Sequence, residues 1–148
     1  MSNYVVLNEL SICHQLRFTY AHVQLVLYRP FLACSLPQSG LKRQANDLSY
    51  ACAAAGINVS RNIIHLGSEI RRQGILSGAF WYMLYTEFFA AVVLVFYVLE
   101  NPEKAGSAEV LADARCARQN VATLTRKSRA AETVIEALNV SWRCLDAA

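Results

Sequence analysis

The chain has 148 residues, of which 55% are hydrophobic and 17% are charged, with a formal net charge of +3. An average soluble domain has about 45–50% apolar and about 25% charged residues, so this chain is rich in apolar side chains for its length. This composition excludes an intrinsically disordered chain, and the length fits a single domain.

The first predicted element is a helix from about Val5 to Tyr28. Apolar residues recur along it at steps of three and four, which is the period of a helix. One apolar stripe consists of Ile12, Leu16, Tyr20, Val23 and Leu27, and the opposite side carries Phe18, Ala21, Leu25 and Tyr28. We therefore predict a helix that is apolar nearly all round near its end and is buried between other helices. We expect Pro30 to end this helix, because proline disfavours helical geometry in the residue before it. Residues 37–40 form a predicted loop.

The second predicted helix extends from about Leu41 to Arg72. Its apolar stripe is the most regular in the chain and comprises Ala45, Leu48, Cys52, Ala55, Val59, Ile63, Leu66 and Ile70. A run of small residues from Ala51 to Gly56 would let a neighbouring helix approach closely. Gly67 is a candidate kink or early end of the helix.

The third stretch, Gly78 to Leu99, is the most apolar part of the chain and contains one carboxylate, Glu87. A helix of this length would extend about 33 Å, which is long enough to cross the hydrocarbon core of a bilayer. The stretch is therefore either the central helix of a helical domain or a single membrane span. Glu87 near its middle argues against the span, because a buried carboxylate is costly in a bilayer.

Asn101-Pro102 ends the third helix, and two amphipathic helices are predicted after it. The fourth extends from about Ser107 to Thr125, and the fifth from about Ser128 to Leu145, with Ser128 as its N-cap. The stripe positions are Leu111, Ala114, Ala117 or Arg118, Val121 and Leu124 in the fourth, and Ala131, Ile135, Leu138, Trp142 and Leu145 in the fifth. The sequence thus predicts an all-α fold, an irregular array of about five helices around a central apolar, aromatic helix, with residues 1–148 as one domain.

Motifs for catalysis, phosphate binding and metal binding are absent from the sequence. The five cysteines are far apart, so neither a zinc site nor a disulfide framework is indicated. The basic residues fall in short clusters that are distant in sequence, unlike the continuous basic stripe of a nucleic-acid-binding surface. We therefore predict no catalytic residue, no metal ligand, no cofactor and no enzymatic activity.

Three polar residues are candidates for a buried polar or ligand-lining site, namely Glu87, Arg29 and His22. Glu87 is the ionisable group most suited to burial within an apolar helix. We expect it to pair with Arg29, His22 or a tyrosine, since a buried carboxylate requires a partner. A catalytic role for Glu87 is the less favoured alternative.

Several segments in order resemble the fungal-specific transcription factor domain, the middle homology region of zinc binuclear-cluster regulators. The first is the helix that ends in Tyr28-Arg29-Pro30-Phe31-Leu32, and the second is Ala51-Cys-Ala-Ala-Ala55. The third is the aromatic helix with Trp81-Tyr82, which Asn101-Pro102 closes. The resemblance covers about Cys13 to Leu138 and includes only the later part of that domain.

The resemblance implies an all-helical regulatory module of a nuclear transcription factor that controls transcription. In that family a separate six-cysteine zinc cluster reads DNA, and this sequence lacks it, so DNA would be reached only indirectly. The family also implies a small-molecule effector in some members. A single-span membrane protein anchored by residues 78–99 is the alternative function.

The apolar excess also predicts how the helices pack. We expect Phe31, Trp81, Tyr82 and Trp142 to be largely buried or to lie between helices. Because the first and third helices are apolar around most of their circumference, we expect the chain to be a fragment of a larger array. Its apolar face, predicted to exceed about 600 Å², would pack against the missing N-terminal half of the domain or a protein partner, with a homodimer as another option.

Overall fold

The computed structural model describes residues 2–32, 47–74, 80–122 and 129–146. These residues form five helices and no strand, which confirms the all-α prediction. The helices are α1 (Ser2–Leu32), α2 (Asp47–Arg72), α3 (Phe80–Glu100), α4 (Ser107–Ala122) and α5 (Arg129–Asp146). The predicted loop at residues 37–40 and the predicted N-cap Ser128 lie outside the described residues.

Helix α3 is the central element, because it packs against α2, α4 and α5 and touches α1. Ala90, Ala91 and Leu94 are completely buried on it. The predicted break after this helix is confirmed, since α3 ends at Glu100. Two bonds hold this turn: the Asn101 side chain donates to the Tyr97 carbonyl at 3.0 Å, and the Ser107 hydroxyl donates to the Asn101 carbonyl at 2.6 Å.

The packing of α3 bears on whether it is a membrane span. Its segment Trp81–Glu100 is long and apolar enough to cross a bilayer, with a mean hydropathy of 1.9. Half of that segment is nevertheless buried by the other helices of the fold. The core helix of a helical domain has the same length and composition, and the contacts with three neighbouring helices favour this interpretation.

Helix α1 packs through one of its two apolar sides. Phe18, Ala21 and Leu25 are buried, whereas the stripe that contains Leu16 and Tyr20 faces outward, so the predicted burial all round is wrong. Both sides of this helix are apolar, so its periodicity could not decide between them. The predicted close approach to the small residues of α2 is present at Gly56. A Cβ atom there would lie 3.0 Å from Leu32 Cδ2.

Helix α1 also continues past Pro30 to Leu32, so the predicted stop at this proline is wrong. Proline removes one backbone donor from the helix and crowds the preceding turn. Here it lies three residues from the end of α1, and few later bonds depend on it.

Helices α4 and α5 cover α3 with the faces that the sequence predicts. Ala114, Ala117 and Val121 are buried on α4, and Leu138 and Trp142 are buried on α5. Polar bonds also connect α4 to its neighbours. Arg61 Nε of α2 donates to Asp113 Oδ2 at 2.5 Å, and Arg118 Nε donates to Asn139 Oδ1 of α5 at 3.0 Å. Leu124, Ala131 and Leu145 belong to the predicted stripes, but their side chains lie outside the described part.

The two tryptophans occupy opposite environments. Trp142 is buried, as predicted, while Trp81 is 67% exposed, so its predicted burial is wrong. Trp81 lies in the first turn of α3, where it contacts Tyr82 edge-to-face at 6.0 Å between ring centroids. Phe31 and Tyr82 are half-buried, which agrees with a position between helices.

Replacing each tryptophan by alanine should separate these environments. We expect Trp142→Ala to lower the free energy of unfolding by about 3–5 kcal/mol, because it empties a packed core position. Trp81→Ala should change it by less than about 1 kcal/mol, since surface substitutions have small effects. Urea titration followed by circular dichroism measures both values, and equal losses would contradict these assignments.

Candidate functional site

Glu87 forms a buried ion pair with Arg71. Its carboxylate is completely buried, and it accepts bonds from Arg71 Nη1 at 2.9 Å and from Arg71 Nη2 at 2.6 Å. Such a two-pronged bond is the strongest arrangement available to an arginine and a carboxylate. The predicted partners Arg29, His22 and tyrosine are therefore wrong for this carboxylate. The pair connects the last turn of α2 to the middle of α3.

A glycine on α2 provides the space for this carboxylate. A Cβ atom at Gly67 would overlap Glu87 Oε1 and would lie 2.5 Å from Glu87 Cδ. Helix α2 continues through Gly67 to Arg72, so this glycine is neither a kink that ends the helix nor its terminus. Its role in the structure is to let the Glu87 side chain lie directly against the α2 backbone.

Burial raises the pKa of Glu87 above its ordinary value of 4.5. The hydrogen bonds and positive charge of Arg71 act in the opposite direction and lower the pKa of Glu87. A carboxylate that is enclosed and engaged through both oxygens is suited to holding two helices in register. It is poorly placed to exchange protons with a substrate, which would have to reach it through the core.

A separate cavity of about 460 Å³ opens between α1 and α3. Its apolar wall includes Leu25 and Val26 of α1, Ile57 of α2, and Val92, Val93 and Phe96 of α3. The cavity exists because α1 packs mainly on α2 and makes only sparse contact with α3. Its volume is within the range of about 300–1,000 Å³ that is typical of small-molecule sites.

A small number of polar side chains line this cavity, namely His22, Arg29, Tyr85 and Tyr97. The guanidinium carbon of Arg29 lies 4.8 Å from the centroid of the Phe89 ring. Within the described ranges, Arg29 has no carboxylate within ion-pair distance. His22 and Arg29, two of the three predicted ligand-lining residues, therefore lie together at the cavity, while Glu87 is not among the lining residues.

His22 is held in place by α3. The Thr86 hydroxyl donates to the carbonyl of Tyr82 at 2.9 Å, and its oxygen lies 3.2 Å from His22 Nδ1. Since the single hydroxyl proton points to the carbonyl, His22 Nδ1 carries the proton of this second bond. The His22 ring also contacts Tyr82 edge-to-face at 5.2 Å. These contacts fix the ring where it lines the cavity.

Some of the residues that carry the family resemblance contact other helices, and others are exposed. Tyr28 packs beside Gly56, where an added Cβ would lie 3.1 Å from Tyr28 Cβ. Arg29 reaches Phe89, Pro30 is exposed, and Phe31 is half-buried. Tyr82 contacts both Phe18 and His22 of α1 with its ring. Asn101 bonds the end of α3, as described above, and the neighbouring Pro102 is exposed.

One side of α1 carries large apolar residues that face away from the fold. We call it the outer face, and it consists of Ile12, Leu16, Tyr20, Val23 and Leu27, all about half exposed or more. From Leu16 onward these residues are spaced by four, three and four positions. That spacing is typical of a seam that packs against another helix. The structure therefore has exposed apolar residues along one side of α1. The predicted area of more than about 600 Å² stays a prediction.

Metal ligands do not cluster in the part of the chain that the structure describes. Cys13, Cys52 and Cys116 are free thiols. Arg17, on the exposed side of α1, borders a shallow polar groove with His65, Glu69 and Arg72. Arg72 is already bound to Glu69 there.

Comparison with known proteins identifies one relative. The chain is 33% identical over 129 residues to Activator of stress genes 1 of Saccharomyces cerevisiae. This similarity covers 84% of the chain, which spans about 13% of the length of that relative. No family model matches the chain, and no solved structure matches it. The chain is thus similar to one segment of a much longer yeast protein.

Removing one member of the buried pair should destabilise the fold strongly. We expect Arg71→Met to cost about 3–5 kcal/mol of unfolding free energy, because it leaves the Glu87 charge buried without a partner. The double variant Arg71→Met/Glu87→Leu should recover most of this loss. Arg72→Met removes the neighbouring exposed arginine and is the matched control, with little expected change. Urea titrations at pH 7 measure all three, and additive effects of the two core substitutions would contradict the pairing.

The same variant should have a characteristic pH dependence. Folding raises the pKa of Glu87 above the value of 4.5 that it has in the unfolded chain. The stabilisation from such a group is lost as the pH rises from 4.5 through the pKa of the folded chain. Without Arg71 the pKa of Glu87 rises further. The deficit of Arg71→Met relative to the unsubstituted chain should therefore shrink as the pH falls from 7 towards 5. A deficit that stays constant over this range in urea titrations would contradict the assignment.

Gly67→Ala should destabilise the fold by about 1–3 kcal/mol, because the new methyl group overlaps the Glu87 carboxylate. This direction is opposite to the stabilisation that alanine normally brings inside a helix. Adding Gly67→Ala to Glu87→Ala should cause no further loss, since the overlap is then absent. Thermal denaturation of the four chains measures the effect, and a stabilising Gly67→Ala would contradict the close contact.

Proposed function

We propose that the chain is a regulatory and interaction module of a fungal zinc-cluster transcription factor, and that it belongs to the later part of a larger helical domain. The observation that carries this proposal is the similarity to Activator of stress genes 1 over 84% of the chain. A relative with that name supports a role in transcription regulation. The ordered motifs described above support the narrower assignment to the regulatory domain of the zinc-cluster family.

The proposed module works in the nucleus, where transcription factors act, and it does not read DNA itself. Its arginines support this division of labour, because Arg61 and Arg71 are bonded to carboxylates within the fold. Arg72 is bonded to Glu69 on the surface. Contact with DNA is therefore assigned to a six-cysteine zinc cluster elsewhere in the protein.

The outer face of α1 supports the interaction role. Leu16 and Tyr20 are each 66% exposed, and Leu27 is 65% exposed on the same side. Burying such side chains against another helix stabilises an assembly by about 25 cal/mol per Å² of apolar surface. We assign this face to the N-terminal half of the larger domain or to a protein partner. No catalytic step is proposed, because Arg71 binds both oxygens of Glu87.

A transcription reporter tests the proposal. Residues 1–148 are inserted between a heterologous DNA-binding domain and an activation domain, and reporter transcription is measured in yeast. We expect the insertion to change transcription several-fold relative to a neutral linker of equal length. Leu16→Asp with Tyr20→Asp should abolish this change, because it places charges on the outer face without disturbing the core.

The matched control is Val140→Asp, which changes a residue of similar exposure on α5, a helix that packs on α3 and α4. It should leave the effect on transcription intact. An insertion without effect would overturn the regulatory assignment. Equal losses in the α1 and α5 variants would overturn the role of the outer face.

The alternative of a membrane anchor is tested by fractionation. A fluorescent fusion of the chain should accumulate in the nucleus and be released from membranes by alkaline carbonate. Retention in the membrane pellet after carbonate extraction would overturn the proposal and support the span at residues 78–99.

A further inference from the structure

We propose that the cavity between α1 and α3 binds a small amphipathic organic anion, with Arg29 holding its acidic group and α1, α2 and α3 enclosing its apolar body. The binding claim rests on the geometry alone. That such a ligand would act as an effector of transcription rests on the proposed function.

The walls of the cavity select an apolar body. Leu25 and Ile57 are buried side chains, and Val92, Val93 and Phe96 extend the apolar wall along α3. A volume of about 460 Å³ is large enough for a compact aliphatic or aromatic molecule. Burial of its carbon atoms removes apolar surface from water on both sides, which is the main source of affinity in such sites.

Arg29 selects the charge. Its guanidinium carbon lies over the Phe89 ring at 4.8 Å, and this contact positions the guanidinium at the wall of the cavity. Stacking on a ring leaves the N–H groups at the edge of the guanidinium plane available to a planar anion. No carboxylate of the described segments is within ion-pair distance of Arg29, so none of them competes with an anionic ligand for its charge.

The remaining polar groups add orientation. Tyr85, Tyr97 and His22 line the same cavity, and His22 is fixed by Thr86. Because His22 Nδ1 is engaged with the Thr86 oxygen, its Nε2 atom is the ring nitrogen left for a ligand. A few polar groups on an otherwise apolar wall are the usual composition of a site that recognises one orientation of an amphipathic molecule.

The small molecule is favoured over a protein segment for two reasons. The space is a cavity of about 460 Å³ bounded by three helices and open on one side, whereas the outer face of α1 is a longer apolar seam along a single helix. Among the described residues that line the cavity, Arg29 is the one lysine or arginine, which matches one acidic group with an attached apolar body. A second copy of the chain is the competing occupant, and it is an outcome of the test.

The probes are octanoate and octan-1-ol, which share an apolar chain and differ in charge. Both are titrated into the full chain with calorimetry, and NMR chemical-shift changes locate the site. We expect octanoate to bind more tightly than the alcohol, with shifts concentrated at Tyr85 and Tyr97. Arg29→Gln should weaken octanoate binding about tenfold, the size of a lost charge-assisted bond, and leave the alcohol within about twofold.

Arg115→Gln is the matched control, since Arg115 is an exposed arginine on α4 and does not line the cavity. It should change neither affinity. Val93→Trp fills the cavity and should remove binding of both probes, with circular dichroism showing that the helices remain. If Val93→Trp unfolds the chain, the comparison of Arg29→Gln with Arg115→Gln still decides the proposal.

Three results would overturn the proposal. They are no saturable octanoate binding up to about 5 mM, equal effects of Arg29→Gln on acid and alcohol, or shifts that lie outside α1, α2 and α3. Sedimentation in parallel tests the competing occupant: a dimer that Val93→Trp dissociates would assign the cavity to a second copy. Loss of the reporter effect with intact binding would instead overturn the proposed function alone.

Discussion

The ion pair between Arg71 and Glu87 determines how helices α2 and α3 fit together. The Glu87 carboxylate is fully buried on α3 and requires a cation beside it. Arg71, in the last turn of α2, is that cation. A buried pair of this kind adds little net stability compared with apolar residues of equal volume. If α2 were shifted along α3, however, each charge would be buried without a partner. The pair thus penalises alternative alignments of two otherwise apolar helices.

Around this fixed pair the remaining helices take unequal positions. Helices α4 and α5 cover α3 with narrow apolar stripes, and polar bonds from Arg61 to Asp113 and from Arg118 to Asn139 link α4 to α2 and to α5. Helix α1 packs mainly on α2 and reaches α3 through the side chains of Phe18, His22 and Arg29, so among the described residues a gap remains between α1 and α3. Two apolar surfaces result: the wall of the cavity in this gap, and the outer face of α1.

Much of the fold could be predicted from the sequence because four helices have a dominant periodic signal or a clear break. The end of α3 at Asn101-Pro102 and the buried faces of α4 and α5 depend on local rules, and the structure agrees with them. The orientation of α1 could not be predicted, because Phe18 and Leu25 compete with Leu16 and Tyr20 on a helix that is apolar on both sides. Only the tertiary contact with α2 decides between them.

The candidate site was predictable to a similar degree. His22 and Arg29 line the cavity from α1, away from the buried carboxylate of α3, and their ligand-lining role stays a prediction. The partner of Glu87 was missed, although Arg71 lies 16 positions earlier, at the end of the preceding helix. A pairing of α2 with α3 as consecutive antiparallel helices brings such residues together, and the arginine pair at the end of α2 was the available signal.

The contact at Gly56 has a consequence for how this fold can change over evolution. The distance between α1 and α2 is set where Tyr28 and Leu32 press against that glycine, and α1 has little other support on the side of α3. A larger residue at position 56 would push α1 outward and widen the opening towards α3 without replacing any side chain of the cavity wall. The width of the cavity thus depends on position 56, whereas its chemistry depends on the residues of its wall. Selection can therefore change the size of the molecule that the cavity accepts without changing the charge that it prefers.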